Sequence, residues 1–257
     1  MSPVRLFVLI VIVLFGAVGT VWSQDVTAKV RPSITAPDAF DADFDDFDDD
    51  FSDEQLPLIS DPLEGLNRGV FWCNDKLYVY LLKPVARGYR VVPRPLRRSV
   101  GNFFSNLTTP VRAVNALLQF KVKATGTELG RLLVNSTIGW GGLLDPAGDA
   151  LGWQKTNEDF GQTLGVYGLR SGWYLVLPVL GPSSVRDGVG ILGDQLLDPL
   201  LYTNLTDAQK TAAAGLKIIN RLSLDPDSYE GIKRDALDPY LFIRAAYAQH
   251  RLASVSK

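Results

Sequence analysis

Apolar residues recur along most of this chain at the three- and four-residue spacing of a helix face, and the pattern predicts a mainly α-helical protein. Residues 61–84, "DPLEGLNRGVFWCNDKLYVYLLKP", open on an Asp-Pro pair, with Asp61 placed to cap a helix and Pro62 at its first position. Apolar residues become nearly continuous up to Leu82, and Pro84 is expected to stop the helix. Residues 109–125 begin the same way, with Thr109 as cap and Pro110 following, and 126–139 carry Leu129, Leu132, Leu133 and Ile138 on a second helix. Two more helices are predicted at 205–224, capped by Thr206 or Asp207, and at 238–255, again from an Asp-Pro start. Strand patterning is confined to "GWYLVLPVLGPSS" (172–184), which Pro178 interrupts. No repeat of fixed period and no linker divides residues 61–257.

One stretch fits neither a soluble helix nor a solvated loop. Residues 132–153, "LLVNSTIGWGGLLDPAGDALGW", set five glycines (Gly139, Gly141, Gly142, Gly148, Gly152) among leucines and tryptophans, with Asp145 and Asp149 as the charges. Each helical glycine costs about 1 kcal/mol against alanine. No segment after the N-terminal one is a plain apolar span of the roughly 20 residues needed to cross a bilayer. Two readings fit: a hairpin partly sunk in lipid, whose glycines permit a tight turn and close backbone approach, or a buried core hairpin.

Charge divides the chain. Arg5 followed by the apolar run Leu6–Val18 and the small residues Val21 and Ser23 reads as a cleaved signal peptide over 1–23, with a retained N-terminal anchor as the alternative. Residues 24–60 form an acidic linker. Its densest part, 36–54, holds nine aspartates and one glutamate, a like-charge density that predicts disorder. Phe40, Phe44, Phe47 and Phe51 would form one stripe if that tract became helical on a partner. The formal net charge of −2 hides a basic folded part: from Asp61 onward there are 23 bases and 17 acids, a net +6. Lys83, Arg87, Arg90, Arg94, Arg97 and Arg98 cluster beside aromatics, a composition suited either to a lipid headgroup layer or to a solvated surface.

Catalytic chemistry finds little to stand on. A single histidine, His250, and a single cysteine, Cys73, argue against a zinc site, and no G-x-S-x-G elbow is present. Cys73 reads as a small buried apolar side chain. "GVGILG" (188–193) matches G-x-G-x-x-G, but no alternating βα pattern surrounds it and nucleotide binding is not expected. No cofactor, metal or nucleic-acid partner is predicted. The remaining classes are proteins that bind, position or conduct.

Seven segments, in order along 61–251, resemble the MlaA (VacJ) family: "DPLEGLNRGVFWCND" (61–75), "LKPVARGYR" (82–90), "VGNFFSNLTTPVRAVNALLQ" (100–119), "NSTIGWGGLLDPA" (135–147), "EDFGQTLGVYGL" (158–169), "YLVLPVLGPSSVRDGVG" (174–190) and "DPYLFIRAAYAQHR" (238–251). The resemblance implies a ring of short amphipathic helices around a central pore, embedded in one leaflet of the Gram-negative outer membrane. It implies removal of mislocalised phospholipid from the outer leaflet, handoff to a soluble periplasmic carrier of the MlaC type, and association with trimeric porins. A structural outer-membrane scaffold that binds porins without moving lipid is the alternative reading, and a phospholipase or acyltransferase a third.

Under the same resemblance the hairpin Leu132–Trp153 edges the pore. Gly139, Gly141 and Gly142 are expected to form its turn, and Trp140, Leu143 and Leu144 to meet lipid. Asn67, Arg68 and Asn74 fall in the N-terminal motif and are assigned to pore lining or hairpin support. Asp159, Gln162, Arg186 and Asp187 are expected to hold the fold. The chain departs from the family at "VWSQDV", where no cysteine follows the signal to take a lipid, so membrane attachment is expected to rest on the apolar surface of the ring.

Overall fold

The computed structural model describes residues 59–225 and 228–256; the expectations for the signal segment and for the acidic tract concern residues outside that set. Helix α1 runs Glu64–Leu77. Asp61 does not cap it. Leu63 holds the capping position without a side-chain bond, and Asp61 instead accepts from the Asn67 side chain at 2.7 Å and from the Tyr240 hydroxyl. Nor does Pro84 end the helix. Residues Tyr78–Leu82 widen into a π-helical segment, and α2, Lys83–Tyr89, continues with Pro84 in its first turn. The wider turn accommodates the missing N–H and the ring clash that proline brings to a helix interior.

Helices α3 (Arg94–Leu107) and α4 (Thr109–Leu118) follow almost without a break. Thr109 is not the cap: its hydroxyl donates back to the carbonyl of Ser105. The chain breaks at Phe120, earlier than the expected boundary near residue 126, and α5 spans Val122–Thr137 with Gly126 inside it. Phe120 has φ +59°, and Lys121 N–H reaches the carbonyl of Ala116 at 2.9 Å. This is the left-handed helix ending that usually employs glycine, here carrying a phenylalanine that is 79% exposed.

The short α6 (Pro146–Asp149) and α7 (Phe160–Val166) start on Asp145 and Asp159 as side-chain caps. Strands β1 (Tyr174–Leu177) and β2 (Gly181–Ser184) form an antiparallel hairpin with Tyr174 opposite Ser184 and Leu177 opposite Gly181, so the run around Pro178 is two strands and a turn. Helix α8 (Val185–Leu197) is capped by Ser184, and a 3₁₀ turn covers Pro199–Tyr202. Helix α9 (Asp207–Leu224) opens on a Thr206–Gln209 capping box, α10 spans Ser228–Asp235, and α11 (Pro239–Val255) is capped by Asp238. The glycines of "GVGILG" lie within α8. A Cβ on Gly190 would sit 2.5 Å from the backbone nitrogen of Gly161 in α7. Gly190→Ala is therefore expected to force the two helices apart and cost about 1–3 kcal/mol, measured as a lower unfolding temperature in detergent micelles.

Packing partners form a closed circuit. From α1 it passes through the π segment and α2 to α9, then α3 and α4, then α7, α11, β2 and β1, and returns to α1. The final joint is polar. Asn67 donates to the carbonyl of Tyr174 and accepts from Val176 N–H, while Arg68 pairs with Asp238 at 2.9 Å. A small aromatic core lies beside that joint, with Tyr174 and Tyr240 edge to face at 6.0 Å and Phe71 packed on Tyr240.

The burial pattern is inverted relative to a soluble domain. Among the described residues ten apolar side chains are buried, five of them alanine, against nineteen polar ones. Leu133, Ile138, Trp140, Phe120, Val122 and Tyr80 each expose two thirds or more of their surface. Exposed apolar area on that scale marks an interaction with something other than water. Cys73 is exposed, contrary to its sequence reading, because this side of α1 carries the exposed Trp72 and not the core. No helix among the described residues is long and apolar enough to cross a membrane.

Candidate functional site

The segment 132–153 is a helical hairpin whose first arm is α5. Its turn is built on backbone that side chains disfavour: Trp140, Gly141 and Gly142 have φ of +55°, +69° and +90°. Gly139 is needed for a different reason, since a Cβ there would lie 2.4 Å from the carbonyl oxygen of Asn135 and 2.6 Å from that of Leu144. Gly142 faces the Asn106 side chain at a similar distance. Trp140, Leu143 and Leu144 are exposed. Below them Asp145 joins the arms: it accepts two bonds from Arg131, at 2.8 and 2.9 Å, and one from Asn135. Burial opposes ionisation of Asp145, but these donors hold its pKa below the usual carboxylate range.

Of the residues in the N-terminal motif, Asn67 and Arg68 make the joint described above, with Arg68 also paired to Glu64 and stacked on the Tyr240 ring. Asn74 donates to the carbonyl of Leu177 and accepts from Val179 N–H, holding the turn of the β-hairpin. Asp159 and Gln162 close the start of α7, and Arg251 of α11 donates to both oxygens of Asp159. Arg186 and Arg251 both pair with Asp187, which also accepts from the Tyr247 hydroxyl. From the basic cluster Arg97 turns inward and donates to the carbonyls of Val92 and Ser223, while Lys83 pairs with Glu230.

Two sizeable cavities are bordered by described residues of the helices in this circuit, and sequence reasoning identified neither. The first, of about 510 Å³, is walled mainly by apolar side chains, among them Leu77 of α1, Ile218 and Leu222 of α9, and Phe242 and Ile243 of α11. Asn74 and His250 are its polar edge. The second, of about 390 Å³, is bordered by Arg112 of α4, Glu158, Asp194 and Asp198 of the α8 end, and Lys217 of α9. Helix α9 borders both, with the consecutive residues Lys217 and Ile218 lining the charged and the apolar cavity respectively. A lone lysine inside the apolar run "AAAGLKIIN" was the available sequence signal.

The charges in the second cavity are unequally satisfied. Arg112 is fully engaged by Glu128, Ser105, Thr108 and Thr109. Lys217 is solvent-accessible yet crowded by protein, as a side chain in a wet hollow is, and desolvation lowers its pKa. Asp194 Oδ1 accepts from Asn115 Nδ2 at 2.8 Å and Phe160 N–H at 3.0 Å. Desolvation, aided by the charge of Asp159 and opposed by these donors and by Arg251, pushes its pKa up to about 6. That lies above the unfolded value of about 3.9. Asp194 therefore favours folding most below that value, and the contribution is lost as pH rises to about 6. Asp194→Asn keeps the acceptor and removes the charge. It is expected to raise stability at pH 7.5 by about 1 kcal/mol, discounted for partial exposure, and to leave it unchanged at pH 4, as read from paired melting curves.

Comparison with known proteins gives one answer. A family model described as MlaA lipoprotein matches residues 59–254. The intermembrane phospholipid transport system lipoprotein MlaA of Escherichia coli (strain K12) is 36% identical over 195 residues, which are 74% of this chain and 76% of that one. An uncharacterized protein of Rickettsia felis is 37% identical over 199 residues, 77% of this chain and 78% of its own length. A solved structure from work on the structural basis for maintenance of bacterial outer membrane lipid asymmetry matches at 37% identity with a TM-score of 0.65, covering 76% of this chain and 99% of that one. By family model, by sequence and by mainly helical architecture, the chain belongs to the MlaA family.

Proposed function

We propose that this chain is a passive conduit for phospholipid, seated in one leaflet of the outer membrane. It clears misplaced lipid from the outer leaflet and passes it to a soluble periplasmic carrier. The observation that carries this reading is that one helix, α9, borders both an apolar and a charged cavity, through Ile218 and Lys217. A phospholipid has the same division, and a path that offers acyl chains an apolar wall and the headgroup a hydrated one avoids placing charge in hydrocarbon. The closed packing circuit supports a ring around that path, and the exposed apolar side chains of α5 and of the hairpin turn support its seat in lipid. The glycine turn and its Asp145–Arg131–Asn135 clasp suit a hairpin edging the pore. Trimeric porin as a neighbour in the membrane follows from the same family reading.

The test is the exposure of aminophospholipid on intact cells, read with an impermeant amine-reactive probe, in a strain lacking the gene and in the restored strain. Exposure rises on deletion and returns to the starting level on restoration. Unchanged exposure with disturbed porins would overturn the conduit in favour of a scaffold.

A further inference from the structure

We propose that the charged cavity is a station for a zwitterionic headgroup bearing a primary amine, a phosphoethanolamine, with Lys217 taking the phosphate and the carboxylates of Asp194, Asp198 and Glu158 taking the ammonium. The proposal rests on the conduit reading and adds to it a headgroup preference.

Hydrogen-bonding capacity left unused around the cavity carries the inference. Lys217 has no hydrogen-bond acceptor or ion-pair partner among the described residues, so its three N–H donors are available. The same cavity is lined by three carboxylates, each with one engaged oxygen and one without a bond among the described residues. Asp194 uses Oδ1 for Asn115 and Phe160. Asp198 uses Oδ1 for the N–H of Leu200. Glu158 uses Oε1 for Lys121, and its Oε2 is buried without a partner. A buried acceptor without a donor carries a desolvation cost that an incoming N–H relieves.

The sign and the shape of this charge select among headgroups. One available cation suits one phosphate. Glu158 is paired with Lys121, but Asp194 and Asp198, without an ion-pair partner among the described residues, repel a second negative charge and so disfavour an anionic headgroup. They attract an ammonium with N–H donors in several directions, which a primary amine has and a quaternary amine lacks. No aromatic ring among the described residues borders this cavity, whereas quaternary ammonium recognition relies on aromatic faces. Acyl chains have the apolar cavity that α9 borders through Ile218. The thermodynamic cost of keeping Asp194 ionised has the same explanation, because a group that weakens the fold is retained where function uses it.

The experiment uses the full chain purified in detergent, mixed with equal amounts of phosphatidylethanolamine, phosphatidylcholine and phosphatidylglycerol of one acyl composition. Retained lipid is measured by native mass spectrometry. The protein is expected to retain phosphatidylethanolamine about tenfold over each of the other two, the factor that one charge-assisted hydrogen bond supplies. Asp194→Asn and Asp198→Asn, each of which keeps its backbone-capping oxygen, are expected to bring the ethanolamine-to-choline ratio towards one with total lipid little changed. Lys217→Ala is expected to lower retention of all three lipids together. Equal retention of the three lipids by the unaltered protein would overturn the headgroup assignment and leave the conduit standing. So would an ethanolamine preference that survives both carboxylate substitutions. Retention of no lipid at all would overturn the conduit and the station together.

Discussion

Alanine in place of Asp187 is expected to lower the stability of the fold by about 3–5 kcal/mol, the usual consequence of removing one partner from a buried ion pair. Asp187 sits between the guanidiniums of Arg186 and Arg251 and also accepts from Tyr247. Removing it leaves Arg186 without its ion-pair partner and Arg251 with Asp159 alone. The pH dependence should change as well. Burial works against the charge on Asp187, but the donors from Arg251 and Arg186 prevail and hold its pKa below the ordinary carboxylate value. Its contribution is full above about pH 4, the unfolded value, and is lost as pH falls through the folded one. Melting curves from pH 7 to 3 should therefore show a shallower acid loss in the variant. Asp235→Ala is the control, since the Arg234–Asp235 pair is exposed and its loss should leave the curve unchanged.

Tryptophan in place of Ala246 is expected to abolish lipid clearance in cells while the protein still folds and reaches the membrane. Ala246 on α11 borders the apolar cavity, and a space of about 510 Å³ takes an indole without moving backbone. What it then lacks is room for acyl chains. Ile218→Trp places the same obstruction on α9 and should have the same effect. Both variants should melt within a degree or two of the parent, since surfaces away from buried networks tolerate substitution. Full clearance by either variant, with the cavity shown to be filled, would remove the apolar cavity from the lipid path.

Much of the helical content was legible because it is written locally. Asp238-Pro239 and Thr206 with Gln209 announce their helices within four residues, and the structure places α11 and α9 there. Asp61-Pro62 carries the same local signal and misleads, because Asp61 is engaged by Tyr240, 179 residues away. Residues 94–107 and 185–197 were not assigned to helices by their periodicity. Pro95 and three arginines crowd the start of the first, and three glycines dilute the second, where Gly190 and Gly193 serve close packing against α7. The hairpin glycines were visible as an anomaly, but the separate reasons for them were not: Gly139 answers to crowding and Gly141 to backbone angle. The two cavities were beyond reach altogether. Their walls draw on the π segment, the β-hairpin and helices α1, α4, α8, α9, α10 and α11, and only tertiary packing brings Lys217 into one cavity with Asp194 and Asp198.

The closed circuit has a consequence for how the molecule is made. The bonds that close it join the two ends of the described chain: Arg68 to Asp238, Asp61 to Tyr240, and Arg244 to the carbonyl of Ile59, at sequence separations of 170, 179 and 185 residues. Loop closure on that scale is slow and comes late, after local helices have formed. A chain emerging from its N-terminus has α1 available first and must wait for α11 before the circuit can shut. Until then Asp61 lacks Tyr240 and Arg68 lacks Asp238, so the growing chain remains open and pliable and locks only when α11 arrives.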